Sequence, residues 1–89
     1  MSLDPSVPVL IRADGEIDEF RPAGDSFTLD ELQGAVGGYV EVVPMQPAHL
    51  VAMNEDGLLR GLPANAVASA LLARQIVGDV VVLPSELLD

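Results

Sequence analysis

GGYVEVVPMQPAHLVAMNEDGLLRGLPAN, residues 37–65, is the part of the sequence that decides the fold. It contains two runs, residues 39–43 and 49–54, whose side chains divide into two unlike sets at every second position, as they do in β-strands. The connection between the runs contains Pro44 and Pro47, which predicts that no regular ladder extends into it. The stretch therefore predicts a β-hairpin that leads through a glycine-containing turn into a helix.

Pairing that is symmetric about Gln46 gives this hairpin two different faces, with Val40 opposite Ala52 and Val42 opposite Leu50. The purely apolar face predicts core packing, and it carries Val40, Val42, Leu50 and Ala52. The mixed face is expected to be partly wet, and it carries Tyr39, Glu41, Val43, His49, Val51 and Met53.

The residues before this stretch predict another hairpin. Residues 7–12 and 16–21 are strand-like runs on either side of a turn at 14–15, where Asp is followed by Gly. Ile17 and Phe20 stand three positions apart in the second run, so we expect a bulge or the exposure of one of them.

A capping box predicts the start of the first helix, because Thr28 is followed three residues later by Glu31. The apolar stripe of this helix is expected to pack on the sheet, and it consists of Leu29, Leu32 and Val36. Gly37 or Gly38 suits the left-handed residue that ends a helix.

The residues after the turn predict a brief strand at 58–62, a helix at 66–74 capped by Asn65, and a central strand at 79–83. The helix is apolar on all sides, which predicts burial. The order ββ-α-ββ-α-β predicts an α+β fold: a small, mainly antiparallel sheet with two helices mainly on one face. We expect one domain, residues 1–89, with an ordered core at about 7–83.

The composition is acidic, with 14 Asp and Glu residues against four arginines, no lysine and a net charge of −10. This charge argues against direct nucleic-acid binding and against anionic membrane surfaces, because both require cations on the protein. No segment has the pattern of a secretory leader or the length of a membrane span, so we expect a cytoplasmic protein.

The sequence carries no recognisable catalytic set, so we expect no enzyme, no catalytic residue and no cofactor. It has no cysteine and a single histidine, His49, and no serine stands in a nucleophile elbow. Asn54 and Asp56 have the first two spacings of a calcium loop, but Leu58 occupies the third ligand position. We therefore expect no metal site either.

Two alternative functions remain open at this point. Arg60 and Asn65 flank the predicted start of the second helix, where a small anionic ligand such as a nucleotide or metabolite would bind. The other alternative is mimicry of DNA that inhibits a DNA-processing protein, through the acidic cluster of Asp14, Glu16, Asp18, Glu19, Asp25, Asp30 and Glu31.

Four pieces of the chain, GGYVEVV at 37–43, NEDG at 54–57, GLPAN at 61–65 and IVGDV at 76–80, carry a resemblance to a known family. Their order and spacing resemble an uncharacterised small-domain family of bacteria, especially actinobacteria, and of phages and plasmids. The resemblance implies a small stand-alone domain that is an accessory product of mobile elements, and it supplies no catalytic residues.

Our leading hypothesis is a non-enzymatic binding or interaction module that binds a protein partner or a second copy of itself. The mixed face of the hairpin is too apolar to be ordinary solvent surface on so small a domain. The candidate binding residues are Tyr39, Glu41, His49, Met53, Arg60 and Asn65.

Overall fold

The computed structural model describes residues 6–88, so the predictions for residues 1–5 and 89 lie outside the described residues. Within residues 6–88 the chain forms five strands, two α-helices and a final 3₁₀ helix. In chain order these are β1 Val9–Ile11, β2 Ile17–Glu19, α1 Leu29–Val36, β3 Val40–Met45, β4 His49–Asn54, α2 Ala66–Leu72, β5 Val80–Pro84 and the 3₁₀ helix Ser85–Leu87.

The strands form one sheet in the order β2-β1-β5-β4-β3, and every neighbouring pair is antiparallel. The predicted α+β class is therefore confirmed. The apolar run that predicts a central strand is β5, which pairs with β1 on one side and β4 on the other. Both Val80 and Val81 are fully buried, because successive side chains of β5 point to opposite, covered faces.

The two helices cover opposite faces of the sheet, so the prediction that they lie mainly on one face is wrong. Leu32 of α1 packs in a cluster with Ala52 and Val81, whereas Ala68 of α2 packs in a cluster with Val51 and other residues of the opposite face. The cause lies in β4 and β5, which are apolar on both faces and need a cover on each.

The register of the β3–β4 hairpin differs by two residues from the predicted one. Val42 lies opposite Ala52 and Val43 opposite Val51, and the strand continues through Pro44 to Met45. A shift of two keeps every side chain on its predicted face. It does not keep the predicted exposure, because α2 and the residues after it cover much of the mixed face and bury Val51 and Met53.

The second helix is shorter and more exposed than its sequence predicts. It has seven residues and ends at Leu72, and the next residue, Ala73, caps it with a left-handed φ of 54°. Ala68 is its buried residue and Leu71 is exposed, so the prediction of an all-round buried helix is wrong: a helix that packs on one face of a sheet buries one side. The brief strand predicted at 58–62 is a series of turns.

The predicted capping box is confirmed at the start of α1. The Glu31 N–H donates to the Thr28 hydroxyl at 3.2 Å, and the Thr28 N–H donates to the Glu31 carboxylate at 3.0 Å. Gly37 ends the helix with a φ of 78°. Leu29 departs from the predicted stripe, because it is 60% exposed at the first position of the helix, where it lies away from the sheet.

The predicted bulge is absent from β2, because this strand ends at Glu19. Ile17 and Phe20 pack against the clusters on opposite faces of the sheet. The Phe20 ring stacks on Phe27, with 5.5 Å between the ring centroids.

Candidate functional site at the edge of the sheet

Strand β3 ends the sheet, and its hydrogen bonds show which of its backbone groups are unused. In an antiparallel ladder, opposed residues alternate between pairs that exchange both backbone hydrogen bonds and pairs that exchange none. The Glu55 N–H donates to the Tyr39 carbonyl at 2.8 Å, one step beyond the β3–β4 register. On the other side of β4, the Ser85 N–H donates to the Ala48 carbonyl at 2.9 Å. The odd-numbered residues of β4 therefore bond to β3, and the even-numbered residues bond to β5.

The even-numbered residues of β3, which are Val40, Val42 and Pro44, accordingly direct their backbone groups away from β4. Pro44 is tolerated because no N–H is needed in that direction. In the part of the chain that the structure describes, no strand pairs with this edge. An added strand would find the N–H groups of Val40 and Val42 and three carbonyls, including that of Pro44.

A groove of about 340 Å³ lies beside this edge on the face that α2 covers. Strand residues Glu41, Met53 and Asn54 form one part of its lining. The rest comes from the turn after β4 and the loop after α2, namely Glu55, Gly57, Leu58, Leu59, Arg74, Gln75, Ile76 and Val77.

Two leucines of the groove lining are strongly exposed: Leu58 by 68% and Leu59 by 90%. The turn that carries them is held by backbone hydrogen bonds, including those from the Leu62 N–H to the Gly57 carbonyl and from the Arg60 N–H to the Asp56 carbonyl. The fold therefore fixes the turn through its backbone and leaves the leucine side chains in contact with solvent. Adjacent exposed leucines beside a groove are typical of a binding surface.

The groove is charged as well as apolar. Glu41 and Glu55 contribute carboxylates, and Arg74 contributes a guanidinium group. Glu41 is exposed in β3, opposite the buried Met53. It therefore stands where the groove meets the unpaired edge.

The structure brings together three of the residues predicted to form the site. Glu41 and Met53 line the groove, and Tyr39, which is 70% exposed, bonds through its carbonyl to Glu55 of the same lining. His49 lies at the other end of β4, roughly 13 Å from Met53 along the strand. It is half buried and makes an interaction of its own.

Arg60 and Asn65 have structural contacts. The Arg60 guanidinium donates to the Gly37 carbonyl at 2.7 Å and so ties the turn to the end of α1. Asn65 is fully buried; its amide donates to the carbonyls of Ile11 at 3.0 Å and Gly78 at 2.9 Å and accepts from the Ala68 N–H at 3.0 Å. Both side-chain N–H groups of Asn65 therefore serve the fold, and Arg60 uses one of its guanidinium nitrogens in a structural contact.

Three of the seven carboxylates in the acidic cluster predicted for DNA mimicry make local contacts that involve charge or capping. Asp18 pairs with Arg12 at 3.1 Å, a hydrogen bond that raises the pKa of Arg12. Glu19 pairs with Arg21 at 3.3 Å. Glu31 caps α1, and hydrogen bonds from the backbone of Thr28 and Ala23 lower its pKa.

Three further findings concern residues 6–88 alone. They contain no group of three or more His, Cys, Asp or Glu side chains arranged to hold a metal ion. No helix among them has the length and apolar character required to cross a bilayer. Every buried side-chain nitrogen and oxygen atom in this range has a hydrogen-bond partner.

Sequence reasoning missed Leu58, Leu59 and the unpaired backbone of Val42. The adjacent leucines directly follow a turn signal at 54–57 and precede Gly61, a spacing that leaves little room for a strand. Pro44 could have indicated that this strand lies at the edge of the sheet, because proline inside a strand is tolerated at an edge.

One family model matches residues 8–86, nearly the whole chain, and its description is a domain of unknown function. No curated protein and no solved structure matches the chain.

Proposed function

The chain belongs to the DUF3846 family, a domain of unknown function, and from that premise we propose that it is a protein-binding module. It binds an extended segment of a partner protein as an additional strand along β3. The observation that carries this proposal is the unpaired edge at Val40 and Val42, directly beside a groove with exposed leucines.

Backbone pairing alone is too weak to support such binding. Each hydrogen bond contributes a net of about 0.5–1.5 kcal/mol, whereas association costs roughly 4–15 kcal/mol in lost freedom of motion. Burial of a leucine side chain adds about 1.5–3 kcal/mol. Leu58 and Leu59 therefore supply the apolar contact that an added strand needs, and the edge supplies its register and direction.

Val42→Pro is the variant that tests strand addition. The Val42 N–H points away from β4, so its removal leaves the β3–β4 ladder intact, as Pro44 already does two residues later. The same change at Val43 removes a ladder hydrogen bond and serves as the control for damage to the fold. Circular dichroism should show native structure for Val42→Pro and a clear loss of stability for Val43→Pro.

A library of random peptides displayed for selection provides the binding assay. We expect the wild-type protein to enrich peptides whose dissociation constants increase by about tenfold or more with Val42→Pro, since the proline removes a donor and obstructs pairing. Leu59→Ser should weaken the same peptides without changing the fold. Peptides that bind both variants as tightly as the wild type, or a library without any enrichment, would refute the proposal.

We also propose that the module acts by binding rather than by catalysis, works in the cytoplasm of a bacterium, and is carried by phages or plasmids. The resemblance of residues 37–43, 54–57, 61–65 and 76–80 supports the link with mobile elements. Cell fractionation tests the cytoplasmic location, and the identity of neighbouring genes tests the link with phages or plasmids. A protein recovered outside the cytoplasm, or a gene set among conserved chromosomal genes, would contradict them.

A further inference from the structure

Charge at the β3 edge distinguishes among the segments that can add to it. Glu41 is the one charged side chain of β3, and it is exposed at the boundary between edge and groove. An added strand places a side chain directly opposite Glu41 on the same face, with about 4.5–5.5 Å between the Cβ atoms. Glu55 lines the same groove and adds another carboxylate nearby.

Little positive charge on the protein compensates these carboxylates. Of the four arginines, Arg12 and Arg21 pair with carboxylates of β2, and Arg60 bonds to a backbone carbonyl. Arg74 is the arginine that lines the groove. The chain as a whole carries a net charge of −10, so the surface around the edge attracts cations.

A second copy of the chain fits this edge poorly. If two β3 strands pair so that Val40 of one copy bonds to Val42 of the other, the two Glu41 side chains lie directly opposite each other, and like charges in that position repel. If the strands pair about Val42, Val40 faces Pro44, which has no N–H to donate. In either arrangement two chains of net charge −10 approach each other.

Resting on the proposed function, we propose that the bound segment is a basic, extended stretch of a partner protein. It carries Lys or Arg opposite Glu41, and its apolar side chains contact the leucines of the groove. The pairing is solvent-exposed and contributes selectivity of a few fold for each pair, while the overall charge of the protein accelerates encounter with a basic partner.

Short synthetic peptides of Val with one central Lys, Gln or Glu test this inference, because the central residue can lie opposite Glu41 while valines on the same face contact the leucines of the groove. We expect the Lys peptide to bind about threefold or more tightly than the Gln peptide, with the Glu peptide weakest. The difference should shrink when salt is raised from about 0.05 to about 0.5 M. Glu41→Gln should bring the ratio of the Lys-peptide affinity to the Gln-peptide affinity close to one.

The outcomes separate this inference from the proposed function. Equal affinity for the Lys and Gln peptides, with both lost in Val42→Pro, would overturn the inference and support strand addition. A dimer in sedimentation that Val42→Pro dissociates would also overturn it, because the occupant is then a second copy. If none of these peptides and no library peptide binds, the proposed function fails as well.

Discussion

Asn65 should be far more important for stability than an ordinary helix cap. Its buried amide holds together three parts of the chain: the end of β1 at Ile11, the start of α2 at Ala68, and Gly78 before β5. Asn65→Ala leaves one buried N–H and two buried carbonyls without these partners. At about 1–3 kcal/mol for each unsatisfied group, partly relieved by relaxation, we expect a loss of about 3–5 kcal/mol.

Asn65→Asp distinguishes the contribution of the helix cap from that of the two hydrogen bonds to the carbonyls of Ile11 and Gly78. Aspartate caps a helix as well as asparagine does, because it keeps the oxygen that accepts from Ala68. It cannot donate to the carbonyls of Ile11 and Gly78, and it buries a charge against them. We therefore expect Asn65→Asp to lose at least about 3 kcal/mol at neutral pH, a large part of the roughly 5–15 kcal/mol available to a small domain.

Urea unfolding followed by circular dichroism measures both losses. Asn65→Ala and Asn65→Asp should lower the midpoint strongly, with Asp no better than Ala. A free energy of unfolding for Asn65→Asp within about 0.5 kcal/mol of the wild type would refute the reasoning, since the cap would then be the whole contribution of the residue.

Two further predictions concern α1 and its surroundings. A Cβ at Gly38 would lie 2.9 Å from the amide nitrogen of Asn54, which donates to the Val36 carbonyl, so Gly38→Ala should cost about 1–3 kcal/mol in urea unfolding. Gly34 lies inside α1, where an added Cβ meets nothing within 4 Å, so Gly34→Ala should stabilise by about 0.5–1 kcal/mol. Equal effects of Gly38→Ala and Gly34→Ala would contradict the close approach at Gly38. The pKa of Glu31 is lowered from 4.5, so its contribution is present above that pH and is lost as the pH falls through the lowered pKa. The stability difference between wild type and Glu31→Gln should therefore narrow on acidification below 4.5, and a difference that stays constant would show that the Glu31 charge is not involved.

Local signals predicted the elements that depend on local chemistry. The capping box of Thr28 and Glu31 and the left-handed Gly37 involve residues close in sequence, and the structure confirms them. The central position of β5 also followed from its sequence, because a continuous apolar run requires cover on both faces.

The sequence was less informative where one element depends on a distant one. Helix α2 lies on the opposite face of the sheet from α1, because β4 and β5 direct apolar side chains to both faces and each face needs a cover. The hairpin register depended on Pro44, which is excluded from a central strand and accepted at an edge. Whether Pro44 can be part of a strand therefore depends on whether that strand is central or at an edge, which requires the order of strands in the sheet.

The candidate site was predictable only where it depends on the alternation of side chains along one hairpin. Alternation along the hairpin predicts Tyr39, Glu41 and Met53 on one face, and in the structure Glu41 and Met53 line one groove while the Tyr39 carbonyl bonds to Glu55 of its lining. Leu58 and Leu59 were assigned to a strand, and their exposure follows from turns that the rest of the fold fixes. Asn65 was predicted as a cap, but its contacts with Ile11 and Gly78 come from long-range packing.

Amide hydrogen exchange along β3 is the most direct test of the central claim that this strand has an unpaired edge. In dilute, monomeric protein, the N–H groups of Val40 and Val42 should exchange rapidly, whereas those of Glu41 and Val43, which bond to β4, should be protected. Binding of a peptide should then protect Val40 and Val42. Equal protection of all four amides in the monomer would show that the edge is already covered, and the account of this site would be wrong.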